Sequence, residues 1–204
     1  MGMNHTITLC RQFLGAAFIG LIFAACGGQG SGTHQTQTDS IATNHPDTPE
    51  HLLLVPGRSA GPFALGASDS LLHQRLGKPD FSDAAMGKAV LMWYTDTGSV
   101  HPLSVFTSRD MGNDETARIQ QIRITSPLFK TDRSLQVGST LPEISKHYRV
   151  QLVETYEEKG QTYSIYDTDA GIAFELDPND RCIAIIIHKE NTDTTSYLPL
   201  RPTN

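Results

Sequence analysis

Apolar and polar residues follow the same pattern twice along the chain, in residues 63–76 and 135–148. FALGASDSLLHQRL and LQVGSTLPEISKHY both begin with apolar residues two apart, pass through a glycine, and continue with apolar residues four apart. A period of two is typical of a strand, and a spacing of four is typical of a short amphipathic helix. Each segment therefore predicts a strand, a turn at Gly66 or Gly138, and an N-capped helix, with a capping box at Thr140–Glu143.

Strand-like runs follow both predicted helices. The first set is AVLMWY, LSVFTS and RIQQIRIT, and the second is RVQLVETY, TYSIYD, GIAFEL and CIAIII. Gly, Asp and Asn residues between the runs favour hairpin turns, and TDTG (95–98) corresponds to TDAG (168–171). The predicted fold class is α+β, with two tandem helix-plus-antiparallel-sheet repeats at residues 52–128 and 129–190.

The start of the chain carries a different apolar pattern. Phe13 to Ala25 form a predominantly apolar run of thirteen residues that ends in small residues. A membrane-spanning helix needs about 20 apolar residues, whereas this run has the length of a signal-peptide core. Residues 1–25 are therefore predicted to be a signal peptide, and the chain is predicted to be exported.

The residues that close this run resemble a bacterial lipobox. Phe23-Ala24-Ala25-Cys26 places a cysteine after two small residues, with Phe23 where Leu is usual. The resemblance implies that Cys26 is lipidated and becomes the mature N-terminus, which anchors the chain in a membrane. Because Gly27 rather than Asp follows the cysteine, it also implies sorting to the outer membrane of a Gram-negative cell.

Residues 26–51 are predicted to form the lipidated cysteine and a flexible tether. GGQGSGTHQTQTDSIATNHPDTPE is rich in Gly, Ser, Thr, Gln and Pro, and Ile41 is its one large aliphatic residue. Such a segment cannot bury enough apolar surface to offset its ordering entropy. A C-terminal tail is predicted at residues 191–204, beyond the second repeat.

The charge balance excludes one class of partner. After removal of residues 1–25 the chain keeps 22 acidic residues and 15 of its 16 Lys and Arg, so its formal net charge is 15 − 22 = −7. This balance argues against nucleic acid as a partner, and it leaves the lipid on the N-terminus as the predicted link to the membrane.

Cys182 would be the one cysteine left besides the lipidated one, since Cys10 is removed with the signal peptide. No intrachain disulfide is then available in the oxidising compartment. Cys182 lies in the apolar run RCIAIII, which predicts a buried small hydrophobe rather than a catalytic thiol.

The predicted tandem units resemble the beta-lactamase-inhibitor-protein fold, in which small helical pieces pack on antiparallel sheets. They are also similar to the SmpA/OmlA small outer-membrane lipoproteins, which have one such unit. The resemblance covers roughly residues 57–190 and rests on the apolar-Gly-x-Ser/Thr turn that opens each unit. This chain lacks the cysteines for a disulfide in each unit, and it has two units and a longer tether than the lipoproteins. The resemblance implies a protein-binding or assembly role.

Gly57-Arg58-Ser59-Ala60-Gly61 has the G-x-S-x-G spacing of a hydrolase nucleophile elbow. That elbow needs a helix directly after the serine, but Pro62 and Gly66 follow here. The segment is therefore interpreted as the entry loop of the first repeat, with no helix directly after Ser59. The alternative is a serine hydrolase that uses Ser59, with Asp177 and His188 as its partners in chain order.

No metal or cofactor site is predicted. DTDAG (167–171) is similar to the start of a calcium loop, but it lacks the closing Glu and the ligand before the glycine. A hairpin turn in which Gly171 accepts a positive φ is the favoured interpretation. No two histidines of the mature chain lie within four residues of each other, so the spacing of a metal site is absent.

An aromatic sheet face is the predicted partner-binding site. Strand alternation places Val90 and Met92 on one side, which is expected to be core, and Leu91 and Trp93 on the other. Tyr166 joins the second side, and Trp and Tyr are common at binding hot spots. The alternative is that this side is buried beneath the other repeat or a terminal segment.

These predictions combine into a lipid-anchored lipoprotein of the cell envelope that acts as a protein-binding or assembly module for an unknown protein partner. A serine hydrolase based on Ser59 is one alternative, and a periplasmic sensor of a small ligand or ion is another.

Overall fold

The computed structural model describes residues 48–94, 101–194 and 200. Several predicted features lie outside these ranges: the signal peptide, Cys26, the tether up to residue 47, the TDTG segment at 95–98, and tail residues 195–199 and 201–204.

The described residues form a set of strands and two short α-helices. The strands are β1 (Leu53–Val55), β2 (Ser59–Ala60), β3 (Phe63–Ala64), β4 (Phe81–Ala85), β5 (Lys88–Tyr94), β6 (Pro102–Asp110), β7 (Asp114–Ile124), β8 (Lys130–Thr131), β9 (Gln151–Glu158), β10 (Gln161–Asp167), β11 (Ile172–Leu176) and β12 (Cys182–His188). The helices are α1 (Ser70–Leu76) and α2 (Leu141–Ser145), and a 3-10 turn covers Glu50–Leu52.

The fold is mainly β, so the predicted α+β class is wrong. Strands account for 50% and helices for 11% of the structure. The period-four spacing does produce a helix in each segment, but α1 has seven residues and α2 has five, which is about two turns or less. Each buries one residue fully, Leu72 or Ile144, so neither helix forms a layer of its own. None of the helices in the described ranges is long and apolar enough to span a membrane.

The local N-terminal signal of α2 is confirmed. Thr140 and Glu143 form a capping box, in which the Glu143 carboxylate accepts a hydrogen bond of 2.8 Å from the Thr140 backbone N–H. This hydrogen bond and the one from the Thr140 hydroxyl lower the pKa of Glu143. The cap depends only on residues three apart, which is why the sequence predicts it.

One antiparallel sheet of eight strands forms the centre of the fold, in the order β4-β5-β6-β7-β12-β11-β10-β9. Two consecutive four-strand meanders meet where β7 pairs with β12, with Ile185 opposite Ile124. A smaller sheet has the order β3-β2-β1-β8, in which β1 and β8 are parallel. The strands of both predicted repeats therefore share one continuous sheet instead of forming separate helix-plus-sheet units.

The side of the large sheet that packs against α1, α2 and the small sheet, here called the helix face, holds the main core. Directly paired residues of antiparallel strands lie on the same side of a sheet. Two rows of paired residues cross the sheet here: Leu91–Val105–Ile122–Ile187–Ile172 and Trp93–Leu103–Ile124–Ile185–Phe174–Tyr166. Leu54, Phe63, Leu72 and Ile144 pack against these rows.

The opposite side, here called the tail face, is also buried but includes polar residues. Its rows are Val90–Phe106–Gln121–His188 and Met92–Ser104–Arg123–Ile186–Ala173. The C-terminal tail contacts this face at two described residues, because Gln121 Nε2 donates to Thr194 Oγ1 over 2.7 Å and Leu200 packs with Val90 and Phe106. Burial on both faces explains why the central strands are nearly continuous apolar runs.

Candidate functional site

The Gly57–Gly61 motif does not form a nucleophile elbow. Ser59 lies in the two-residue strand β2, which pairs with β1 and then turns back to pair with β3. The first α-helix begins only at Ser70, so the prediction that no helix directly follows Ser59 is confirmed. The motif consists of a turn followed by β2, an inner strand of the small sheet, whereas an elbow would require strand, serine and helix in direct succession.

Gly57 has a packing role that explains its place in the motif. Its φ is +66°, and its backbone N–H donates to the Gly171 carbonyl over 3.0 Å. A Cβ at Gly57 would lie 2.4 Å from Cγ of Glu190, and a Cβ at Gly171 would lie 2.7 Å from the Gly57 Cα. The two glycines are needed because two backbone turns touch at this point.

His188 and Asp177, the predicted partners of Ser59 in a hydrolase, form hydrogen bonds with other residues. The His188 imidazole is fully buried at the end of β12, with Nε2 2.8 Å from Asp167 Oδ1. Asp177 lies in the β11–β12 turn, where its Oδ1 accepts hydrogen bonds from two backbone N–H groups of that turn. The structure therefore does not assemble a triad from these residues, and the hydrolase alternative loses its general base.

Asp167 holds His188, and its carboxylate joins three chain segments. Oδ1 also accepts a 2.6 Å hydrogen bond from the Thr168 backbone N–H, and Oδ2 accepts one of 2.9 Å from the Thr194 backbone N–H. Thr194 is also held by Gln121, whose amide donates to both its hydroxyl and its carbonyl. Both oxygens of the buried carboxylate are thus hydrogen-bonded, and Asp167 anchors the C-terminal tail on the tail face.

DTDAG (167–171) forms the hairpin turn between β10 and β11, as predicted. Gly171 has a φ of +78°, and its N–H donates to the Thr168 carbonyl over 3.2 Å. A polar cleft of about 240 Å³ beside this turn is lined by Asp167, Asp169 and Asp193. Within the described ranges, no group of three His, Cys, Asp or Glu side chains is arranged to hold a metal ion.

Leu91, Trp93 and Tyr166 share one side of the sheet, but that side is the helix face. Leu91 and Trp93 are 5% and 2% exposed, and Tyr166 packs against the same core. The Trp93 indole N–H donates to the Gly77 carbonyl over 3.2 Å. The prediction that these three residues form a partner-binding face is therefore wrong, because α1, α2 and the small sheet cover that face. The side expected to be core, with Val90 and Met92, is the tail face.

Cys182 is buried on the helix face, as predicted. Its side chain is 1% exposed, and Sγ donates a hydrogen bond to the Ala184 carbonyl. Burial raises the pKa of the thiol, and the nearby Glu175 carboxylate raises it further. A thiol that resists ionisation in this way does not act as a nucleophile.

A second cleft, with apolar walls, opens beside the small sheet. It has a volume of about 410 Å³, and its walls include the buried side chains of Phe63, Leu103 and Ile124 together with Phe129. Leu128 also lines it and is 60% exposed. Small-molecule sites are concave, mostly apolar and about 300–1,000 Å³ in volume, and this cleft fits that description.

Among the described lining residues of this apolar cleft, polar groups are few. His51, Arg75 and His101 contribute to the lining, with Ser126 as the one hydroxyl among the described lining residues. These residues include no Asp or Glu. Arg75 is exposed in the last turn of α1 and forms no hydrogen bond or ion pair with any residue in the described ranges. The cleft therefore combines apolar walls with a cation that has no partner in the described part of the chain.

Sequence reasoning missed this cleft because its lining is drawn from segments spread between residues 51 and 129. One signal is present in the motif, although its meaning is visible only in the fold. Gly61 has a φ of +52°, and a Cβ there would lie 2.3 Å from the His51 carbonyl oxygen and 3.2 Å from Cε1 of Phe129. Gly61 thus allows the two cleft segments to approach each other.

Comparisons with known proteins leave the family open. No protein-family model matches the chain, and no curated protein matches it. A solved structure, of an extracellular protein containing a SCP domain from Bacillus anthracis str. Ames, is similar with a TM-score of 0.41 and 11% identity. The alignment covers 68% of this chain and 50% of that one, so the chain spans about half the length of that protein. At this TM-score and identity, the likeness carries no argument about this chain.

Proposed function

We propose that this chain is a lipid-anchored protein of the bacterial cell envelope that acts as a binding module, with the apolar cleft as its ligand site. The binding role rests on the cleft itself, which has apolar walls and a volume suited to a small ligand, and whose Arg75 has no hydrogen-bond or ion-pair partner among the described residues. Such a site binds because apolar surface leaves water on both partners, while a few polar groups orient the ligand.

The location rests on the N-terminal pattern. The run from Phe13 to Ala25 is the length of a signal-peptide core, and Phe23-Ala24-Ala25-Cys26 closes it as a lipobox does. Gly27 supports sorting to the outer membrane. Because the body carries a formal net charge of −7 (15 − 22) once residues 1–25 are removed, the acyl chains supply the membrane attachment.

Metabolic labelling with a palmitate analogue tests the anchor. We expect label in the full chain and none in Cys26→Ser, with Cys10→Ser as the matched control that keeps the label. Gly27→Asp should move the labelled protein from the outer-membrane to the inner-membrane fraction. Label that persists in Cys26→Ser would contradict the anchor, and an unlabelled parent chain would do the same.

A neutral fluorescent probe, N-phenyl-1-naphthylamine, tests the cleft in the mature chain carrying Cys26→Ser, which needs no detergent. We expect bound-state fluorescence that falls in Leu128→Asn, because Leu128 lines the cleft and is exposed enough to be changed without unfolding. Met111→Asn is the matched control, since Met111 is 62% exposed and does not line the cleft. Absence of probe binding, or equal loss in both variants, would overturn the cleft as a ligand site.

A protein partner remains a second candidate, and the outer edge of the large sheet favours it. All five residues of β4 are exposed, and within the described ranges β4 pairs only with β5. Phe81 on this strand is 49% exposed and the adjoining Met86 is 91% exposed. An exposed edge strand with apolar side chains is suited to adding a strand from another protein.

Crosslinking of the lipidated chain in membranes tests this second candidate. We expect Phe81→Lys to abolish a specific crosslinked product, since a charge on an edge strand opposes strand addition. Met111→Lys is the control of similar exposure away from β4. A product that survives Phe81→Lys would remove β4 as the contact.

A further inference from the structure

Arg75 is placed so that a ligand in the apolar cleft would meet one positive charge. It lies in the last turn of α1 beside Leu76, which also lines the cleft. Neither a carboxylate in the described cleft lining nor any partner in the described ranges neutralises it. On a chain whose predicted mature form has 22 acidic and 15 Lys and Arg residues, a cleft whose described lining includes Arg75 but no Asp or Glu favours an anion.

The geometry points to one ligand class: we propose that the cleft binds a single-chain amphiphile with a carboxylate head group, such as a free alkanoic acid. The alkyl chain of the ligand lies against Leu76, Leu103 and Phe129, and its carboxylate head group pairs with Arg75. The inference rests on the proposed function, because it specifies the ligand of the same cleft. A guanidinium offers two parallel N–H donors that match the two oxygens of a carboxylate.

The cleft fits a single amphiphile molecule rather than the surface of a lipid bilayer. The site is a cleft of about 410 Å³, which holds one alkyl chain. Binding to a bilayer surface would instead need an extended apolar or basic face on the protein. Leu128 is the one large apolar side chain in the cleft that is more than half exposed among the described residues. The other apolar lining residues are buried or half-buried and would contact an inserted alkyl chain.

Titration calorimetry with three probes of equal chain length tests the inference: dodecanoate and dodecyltrimethylammonium, each below its micelle concentration, and dodecanol below its solubility limit. The protein is the full mature chain carrying Cys26→Ser, so that detergent does not compete. We expect dodecanoate to bind about tenfold more tightly than dodecanol, and the cation to bind most weakly. Arg75→Gln should remove most of the difference in affinity between dodecanoate and dodecanol.

Arg149→Gln is the matched control, because Arg149 is also exposed and does not line the cleft. It should leave the affinities for all three probes unchanged, and thermal unfolding of both variants verifies that they are folded. Equal affinity for the three head groups, or no effect of Arg75→Gln, would overturn the carboxylate inference and leave the proposed function intact. If no probe binds at all, the proposed function fails with it.

Discussion

Phe174 and Glu175 are neighbours in β11, yet they enter two different kinds of interior. Phe174 lies in the apolar rows of the helix face, where it is fully buried and contacts the ring of Tyr148. Glu175 is 1% exposed on the tail face, where its carboxylate accepts from Arg123 Nε over 2.7 Å and from the Tyr156 hydroxyl. One sheet is thus buried on both sides by different means.

The comparison shows what each face determines. The two central rows of the helix face gain their stability from apolar area and shape, which are non-directional. The tail face has directional contacts, from Arg123 to Glu175 and from Asp167 to His188 and Thr194. Because hydrogen bonds require particular partners, the tail face specifies where the C-terminal tail attaches, and the helix face supplies most of the burial.

Truncation on the helix face should have the largest effect. We expect Phe174→Ala to lower the free energy of unfolding by about 4 kcal/mol, because it removes apolar contacts and leaves a cavity between two sheets. Urea unfolding of the full mature chain measures the loss. A loss of less than about 1 kcal/mol would show that this face is not close-packed.

Glu175→Gln should cost somewhat less, about 3 kcal/mol, because it leaves the Arg123 guanidinium buried without its counter-charge. The double variant Arg123→Met/Glu175→Leu should recover most of this loss, since a buried ion pair is readily replaced by apolar residues. A double variant as unstable as Glu175→Gln would mean that the pair itself stabilises the face. The same unfolding measurement compares all three chains.

Asp167→Asn should lower stability by about 2 kcal/mol, because an amide that keeps its oxygen toward His188 turns its NH₂ toward the Thr194 N–H. Hydrogen exchange should then rise at Thr194 more than in β11. Asp169→Asn is the matched control, since Asp169 is exposed in the same turn. Unchanged protection at Thr194 would contradict the anchoring role of Asp167.

Ser104→Ala should have the smallest effect and the opposite sign. Ser104 Oγ is buried on the tail face with no hydrogen-bond partner among the described residues. Removing an unsatisfied hydroxyl should raise the free energy of unfolding by about 1 kcal/mol. Ser108→Ala, half-buried on the same strand, should change it by less than about 0.5 kcal/mol. Destabilisation by Ser104→Ala would reveal a polar partner for this side chain.

Prediction from the sequence identified several of the strands and turns. It was wrong for residues 135–137, which form no strand, and for the faces of the sheet. AVLMWY and CIAIII are strands, and Gly171 turns a hairpin, as predicted. In β5, however, four consecutive residues from Val90 to Trp93 are all buried, with exposures of 2–8%. The alternation of side chains along a strand cannot show which side is core when both sides are buried. The prediction that Leu91 and Trp93 lie on a binding surface is wrong for this reason.

The candidate site was less accessible to prediction than the fold. The apolar cleft collects His51, Arg75, His101 and Phe129, which no local pattern connects. The G-x-S-x-G spacing suggests a role for Ser59, whereas Gly57 packs closely against the Glu190 side chain and Gly61 against the His51 carbonyl. A motif reports a local backbone requirement, and the reason for that requirement lies in what packs against it.

By itself the sequence determined the local features: the strand segments, the positive-φ glycine turns and the capping box of α2. These features depend on interactions between residues within a few positions of one another, so the local sequence is enough to predict them. Tertiary structure alone decided the mainly β class, the pairing of β7 with β12, the Asp167 partner of His188 and the apolar cleft. Each of these joins residues far apart in the chain, and such contacts form only when burial of both sheet faces compensates the entropy of bringing them together.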